Sequence, residues 1–376
     1  MAVSGKVYGK GDFTVGIINK NATAFETAPS NSAAYELLPV TNVSLPVLNL
    51  IESGEIRSNN AGMIELDIDQ FRTQKGGFVT MDFEMPAERD LIVRLLANVL
   101  QDHAETTSGG VTTHGVFATS GGALARPDFT ASSSSGIPSL FDIALYMPET
   151  GQDIMIGSAV LSTLTMNFDM ADGRCMLSGS FYSGMSSTDG FKVEQTLSAN
   201  SGAATLSSTS PTFIESYFDI KTLDIEDTNN QDIMVQGVSF TFENNVARIG
   251  RDSNGDAEAY AWGIPSVNIT GEISFLMNAD MGYDAADNVL QDFLGDGTKG
   301  ETATLNLSQG DGTVSSAGEM NITAEIYSTG VNLDPSADTG AVFTVPFKVV
   351  QPTSSGAASG TAFYFEYADS TPASGW

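Results

Sequence analysis

Apolar and polar positions alternate along most of this chain, and the alternating runs come in the same order twice. The first set opens with an apolar strand over Leu45–Ile51 and breaks at a polar turn, Glu52–Gly62. A long alternating segment, Met63–Met85, follows, and then an amphipathic helix over Pro86–Gln101. The second set runs through Val238–Phe242, a polar loop over Glu243–Gly263, the strand segment Ile264–Met277 and a helix near Tyr283–Leu294. Each set continues into three strand-like runs. These are Ser139–Met147, Ile156–Met170 and Cys175–Met185 in the first, and Glu301–Ser308, Glu319–Val331 and Ala341–Val350 in the second. The shared order predicts a mainly β (α+β) chain: two tandem β-sandwich or barrel-like domains, each with one packed helix.

Period-two alternation means one face buried and one face wet. Met63, Ile64, Leu66 and Ile68 are apolar around Glu65, Asp67 and Asp69, and Leu164–Met170 repeats the habit. The wet positions carry acids at Glu65, Asp67, Asp69, Asp82, Glu84, Asp169, Glu272 and Glu325. In the first helix Leu91, Leu95 and Val99, joined by Ile92 and Leu96, form an apolar stripe at i, i+4, i+8. That stripe is expected to cover the buried side of its sheet and leave the other side to water. A plain solvated sheet face accounts for the acids equally simply at this point.

The remaining segments set the predicted domain limits. Residues 1–36, rich in Gly, Asn and Ala with one strand-like run over Asp12–Ile18, read as an N-terminal arm that packs on a neighbour. The first domain spans 37–185 and includes a Ser/Thr/Gly-dense stretch, 104–136, read as a long loop. A linker of similar composition, 186–213, leads to the second domain, 214–351. A C-terminal tail, 352–376, carries one strand, Thr361–Tyr367, able to pair with an exposed sheet edge.

Composition narrows the function. Sixteen basic and 46 acidic residues give a net charge of −30. Up to Phe213 there are 11 basic and 22 acidic residues, and from Ile214 on, 5 and 24. Nucleic-acid binding draws its affinity from Lys and Arg on phosphates, so this chain is not expected to grip DNA. Acidity excludes grip but not passage. The single Cys175 excludes an intramolecular disulfide framework and reads as a small core residue. The first residues lack the apolar core of a signal peptide, and the helix carrying Arg89 and Arg94 is too short to span a bilayer.

Chemistry is sparse. Gly295–Gly300 fits a G-x-G-x-x-G string but follows a helix and precedes a strand, the reverse of a dinucleotide site. Asp252, Asn254 and Asp256 start like a calcium loop, yet the sixth-position glycine and closing glutamate are missing. His103, His114 and Cys175 have no metal-site spacing. No carboxylate pair is singled out as acid and base, so no enzyme activity, cofactor or metal is expected.

The segment Pro46–Asn60, followed by a long alternating strand pair and a short helix, resembles the tail tube (major tail) proteins of long-tailed bacteriophages. Glu52, Ser53, Ile56, Arg57 and Ser58 are similar to a turn of that family, and Gly157–Gly184 resembles its strand pair. The resemblance covers Phe13 to about Val350. It departs at the long 104–136 stretch and in the second set, whose loop begins Glu243-Asn-Asn-Val-Ala-Arg-Ile-Gly. It implies sheets that close into a β-barrel ring on oligomerisation, with rings stacked into a tube for genome delivery. The implied partners are further copies of the chain, a tape-measure protein, tail-tip and terminator proteins, and double-stranded DNA passing without specific binding. The implied location is the virion tail, assembled in the host cytoplasm.

Lumen-facing candidates are Glu65, Asp67, Asp82, Glu84, Glu272 and Glu325. Glu52, Glu55 and Arg57, with Arg248 and Arg251, are candidates for contacts between subunits or rings. With about four lumen strands per repeat, as the resemblance implies, three chains give about 24 strands and a backbone diameter of roughly 48 Å. That favours a trimeric ring with pseudo-sixfold symmetry, with a hexamer as the alternative if one repeat alone lines the bore. A secreted β-rich adhesin or glycan-binding module is the rival reading, suited to the Ser/Thr/Gly content.

Overall fold

The computed structural model describes residues 14–20, 35–53, 73–100, 104–108, 111–119, 140–147, 152–169, 173–185, 191–194, 214, 222–225, 234–249, 261–263, 266–276, 303–309, 319–335, 341–350, 353–354, 357–358 and 361–369. The chain is mainly β, with its strands paired antiparallel and one helix among the described residues. The first half supplies β1 (Thr14–Lys20), β2 (Glu36–Leu38), β3 (Asn42–Val43), β4 (Val47–Ser53), β5 (Thr73–Pro86) and the helix α1 (Arg89–Leu100). It continues with β6 (Ala104–Ser108), β7 (Val111–Thr119), β8 (Leu140–Met147), β9 (Gln152–Asp169), β10 (Arg174–Met185) and β11 (Phe191–Glu194). The second half supplies β12 (Thr222–Ile225), β13 (Met234–Asn244), β14 (Ala247–Ile249), β15 (Ala261–Gly263) and β16 (Val267–Leu276). After these come β17 (Ala303–Gln309), β18 (Met320–Ser328), β19 (Asn332–Asp334), β20 (Val342–Val349), β21 (Thr353–Ser354), β22 (Ala357–Ala358) and β23 (Thr361–Asp369).

The pairings explain the sequence order. In the first half β3 and β4 pair with β5, β5 with β10, and β10 with the C-terminal half of β9. In the second half β13 pairs with β16, β16 with β20, and β20 with the end of β18 and with β19. A direct β9–β13 ladder, Thr163↔Glu243 through Asp169↔Gly237, joins the two series. The result is an unbroken run of eight strand positions: β3–β4, β5, β10, β9, β13, β16, β20 and β18–β19.

Strand β9 serves two neighbourhoods. Its N-terminal half lies between β8 and β11, and its C-terminal half between β10 and β13. The change comes at a bulge opposite Ser180 and Phe181, where the ladder's own hydrogen bonds are interrupted. Asn98 of α1 fills the gap: its Oδ1 accepts from the Leu161 N–H at 2.6 Å and its Nδ2 donates to the Ala159 carbonyl. Asn244 Nδ2 donates to the Leu161 carbonyl at 3.1 Å. Strand β18 behaves alike, with β17 and β23 on its first half and β20 on its end. Pro346 faces that break, where its carbonyl accepts from Thr329 N–H at 2.8 Å and its missing donor is tolerated.

The core lies on one face of the eight-strand run. Val79, Met81, Phe83 and Met85 of β5 are buried, as are Leu164, Met166 and Phe168 of β9 and Phe240 and Phe242 of β13. Phe363 of β23 packs edge-on against Phe240 and Phe242, with centroids 5.8 and 5.0 Å away, and Phe141 of β8 meets Phe181 of β10 in the same way. A second layer of strands thus covers this face in both halves.

Several expectations change here. The helix is buried on nearly all sides, not along one stripe: Val93, Ala97, Asn98 and Leu100 are as inaccessible as Leu91 and Leu95. It packs against β9 and β13 and also against β7 and β23, so apolar residues occupy more than one of its faces. Two charged side chains, one just before the helix and one within it, have partners. Glu88 Oε2 accepts the Leu91 N–H as a cap, and Arg94 is ion-paired to Glu36. The stretch 104–136, read as a loop, opens with the β6–β7 hairpin, because its Thr and Val residues suit strands. β7 also pairs with β23 along Thr112–Thr119. The expected arm includes β1, which pairs with this chain's own β8 and buries Val15 and Ile17. The expected linker includes β11, paired with β9. The second predicted helix, Tyr283–Leu294, lies outside the described residues.

Candidate functional site

The opposite face of the eight-strand run is polar. On β5 the residues between the buried ones are Thr80, Asp82 and Glu84, and both acids are exposed. Cross-strand register carries this parity across the sheet. One transverse row reads Asn42, Glu84, Ser178, Thr165, Thr241, Thr270, Lys348 and Tyr327, each residue paired with the next. The next row contains Asp82, Ser180, Thr163, Glu243 and Asn268. A third brings Asn167, Ser239 and Glu272 together. Thr165 and Thr241 hydroxyls lie 3.2 Å apart across the joint between the two halves, so the polar face continues over it.

The charges on this face are mostly acidic: Asp82, Glu84, Asp169, Glu243 and Glu272, against Arg174 and Lys348. Short Ser, Thr and Asn side chains fill the spaces between them. Such a face offers hydrogen bonds to water along its middle rows, interrupted by Met176 and Pro346 in the third row and bounded by the stacked Phe78 and Tyr182, and it carries no cluster of cations for phosphates. Among the described residues no group of His, Cys, Asp and Glu is placed to hold a metal ion.

Of the sequence-derived lumen candidates, Asp82, Glu84 and Glu272 share this face and are exposed. Glu325 sits half-buried on the part of β18 that pairs with β17, opposite Thr304, and so lies off the eight-strand run. Glu65 and Asp67 lie outside the described residues. Glu52 pairs with Gln74 at the end of β4, and Arg248 lies opposite Trp262 in the small β14–β15 hairpin. Glu55, Arg57 and Arg251 lie outside the described residues. Glu243 and Asp169 were missed as members of the face, although Asp169 had been read as a wet acid. Their membership follows from the β9–β13 ladder, a contact between distant strands that no local pattern encodes.

Comparison of the sequence with protein-family models and with curated proteins gives no match.

Two further facts define what this surface can do. Its two ends are strand edges. β4 beyond β5, and β19 beyond β20, pair with no other strand among the described residues. The exposed large apolar residues of the described chain cluster there: Leu45 (53%) and Val47 (53%) at one end, Tyr327 (38%) and Leu333 (52%) at the other. Burial pushes the Cys175 thiol far up, which keeps it protonated and unreactive. Burial, with Glu366 alongside, raises the Tyr364 phenol. No helix among the described residues is long and apolar enough to cross a membrane.

Proposed function

We propose that the chain is a structural protein that assembles into stacked rings, forming a tube with an acidic bore for the passage of DNA, as in a phage tail. The observation that carries this reading is the eight-strand run: one face buried, the other mostly polar and acidic, and β4 and β19 at its ends with no further strand partner among the described residues. A sheet with open edges is an aggregation hazard in a lone chain, and closure into a barrel removes it. The matched pairing order of the two halves supports a tandem duplication in which each repeat gives four strand positions to the wall.

Eight positions per chain make three chains about 24 strands. At ~4.8 Å per strand and a tilt near 40°, the backbone diameter is roughly 48 Å. Side chains reduce the bore to on the order of 40 Å, wide enough for a duplex about 20 Å across. The function is passage without grip, because carboxylates repel phosphates and give up no counterions to them. Asp82, Glu84, Glu243 and Glu272 line the bore in this reading, and no catalytic step is assigned.

Native mass spectrometry of the purified protein tests the reading. A ring of three 39.5 kDa chains, or stacks of such rings, is the expected species. A chain that remains monomeric across the accessible concentration range overturns it.

A further inference from the structure

The two series share more than their order. On the β9–β10 ladder the register slips by one residue next to Phe181, where four β9 steps (Leu161 to Thr165) face three β10 steps (Ser178 to Phe181). On the β20 ladder four steps (Ser328 to Asn332) face three (Thr344 to Phe347). The shared bulge aligns Phe181 with Phe347, both buried, and Thr165 with Asn332. Pairing with the next strand aligns Met81 with Gly271 and Thr80 with Thr270. One strand further, Val47 of β4 aligns with Thr241 of β13. The same alignment sets Val43-Ser44 beside Val238-Ser239, identical pairs, and Asp82 beside Glu272, both exposed.

Within the chain, β9 pairs with β13 through Thr165↔Thr241 and Met166↔Phe240. Met166 and Phe240 are fully buried there. Their counterparts are Leu333 on β19 and Leu45, which with Pro46 replaces Phe240 by one extra residue. These counterparts are about half exposed, although the equivalent positions at the internal joint have no access to solvent. Each open edge therefore has the shape of one side of a joint the chain already makes.

We infer that β19 of one chain pairs antiparallel with the β3–β4 edge of a second copy, with Asn332 opposite Val47 and Leu333 against Leu45. The contact joins two different patches head to tail, so it propagates and closes only as a ring or helix. Pro46 falls at the extra residue, where a bulge interrupts the ladder and a missing donor is tolerated. The inference rests on the ring reading and adds to it which edges meet and in what register.

Paired cysteines test the register. Val47→Cys with Asn332→Cys in the full chain should give, on mild oxidation, reducible ladders of covalent multimers. Thr165→Cys with Thr241→Cys should give the same bond inside a monomer, and Val47→Cys with Tyr327→Cys, out of register, should give several-fold less cross-linking. Leu333→Glu should block assembly while leaving the monomer's circular dichroism unchanged, and adding Leu45→Lys to the same chain should restore assembly. Assembly by light scattering without the 47–332 bond, or with 47–327 equally efficient, overturns the register and leaves the ring reading standing. Failure of the unmodified chain to assemble overturns both.

Discussion

Leu161 donates its backbone N–H to Asn98 Oδ1 at 2.6 Å, and this bond ties the core helix to the point where β9 changes neighbours. The strand cannot satisfy its own ladder at a bulge, so a buried side-chain amide from another element does so. Asn98→Ala removes the acceptor and strands the Leu161 donor. The expected loss is about 2–3 kcal/mol of folding stability, read from the urea midpoint. A loss under about 0.5 kcal/mol, the level of an ordinary surface substitution, contradicts this role.

Two central-strand glycines are fixed by neighbours that cannot retreat. A Cβ at Gly271 would lie 2.2 Å from the Ser239 carbonyl oxygen and 2.2 Å from the Phe347 ring; one at Gly179 would lie 2.7 Å from the Thr163 carbonyl oxygen. Gly271→Ala is expected to cost about 3 kcal/mol or more, with Gly179→Ala less severe. Gly330→Ala, which meets nothing within 4 Å, is the control and should leave the monomer's thermal midpoint in place. Equal effects at 271 and 330 would contradict the account of packing.

Cys175 reports on the core. Its folded-state titration is raised by burial above the ordinary 9.0, so the native state holds the thiol proton more tightly than the unfolded chain. The contribution to stability is full below 9.0 and falls as pH rises above it toward the folded value. Cys175→Ala should flatten that alkaline decline relative to the unmodified protein. In the folded chain at pH 8 a thiol reagent should label Cys175 only as fast as the protein unfolds, and rapid labelling would contradict its burial.

The alternation that places Val79, Met81, Phe83 and Met85 inside and Asp82 and Glu84 outside was legible in the sequence, because side chains in a strand change face at every step. The helix was legible as a helix but not in its environment. Arg94 and Asn98 look like a polar face, yet one is ion-paired to Glu36 and the other serves the β9 bulge. The β6–β7 hairpin escaped notice because Thr- and Gly-rich segments read as loops until a partner, here β23, supplies the ladder. The joint of β9 with β13 was beyond reach. Which edge meets which depends on contacts between residues about 70 positions apart, such as Met166 and Phe240, and local periodicity carries no information about them.

Charge on the polar face should govern its behaviour toward DNA. Asp82→Lys, Glu84→Lys and Glu272→Lys together should convert the assembly into one that retains double-stranded DNA, with retention weakening as salt rises. The unmodified assembly should retain none in a mobility-shift assay at the same salt. Firm retention by the unmodified protein would contradict passage without grip.

The most direct measurement is electron microscopy of the purified protein, with class averages viewed along the particle axis. The account predicts rings or tubes of three chains with pseudo-sixfold appearance and a bore on the order of 40 Å, from 24 strands at ~4.8 Å spacing. Sixfold rings of whole chains would contradict the eight-strand contribution of each chain. Monomers alone at every concentration would contradict the closed ring itself.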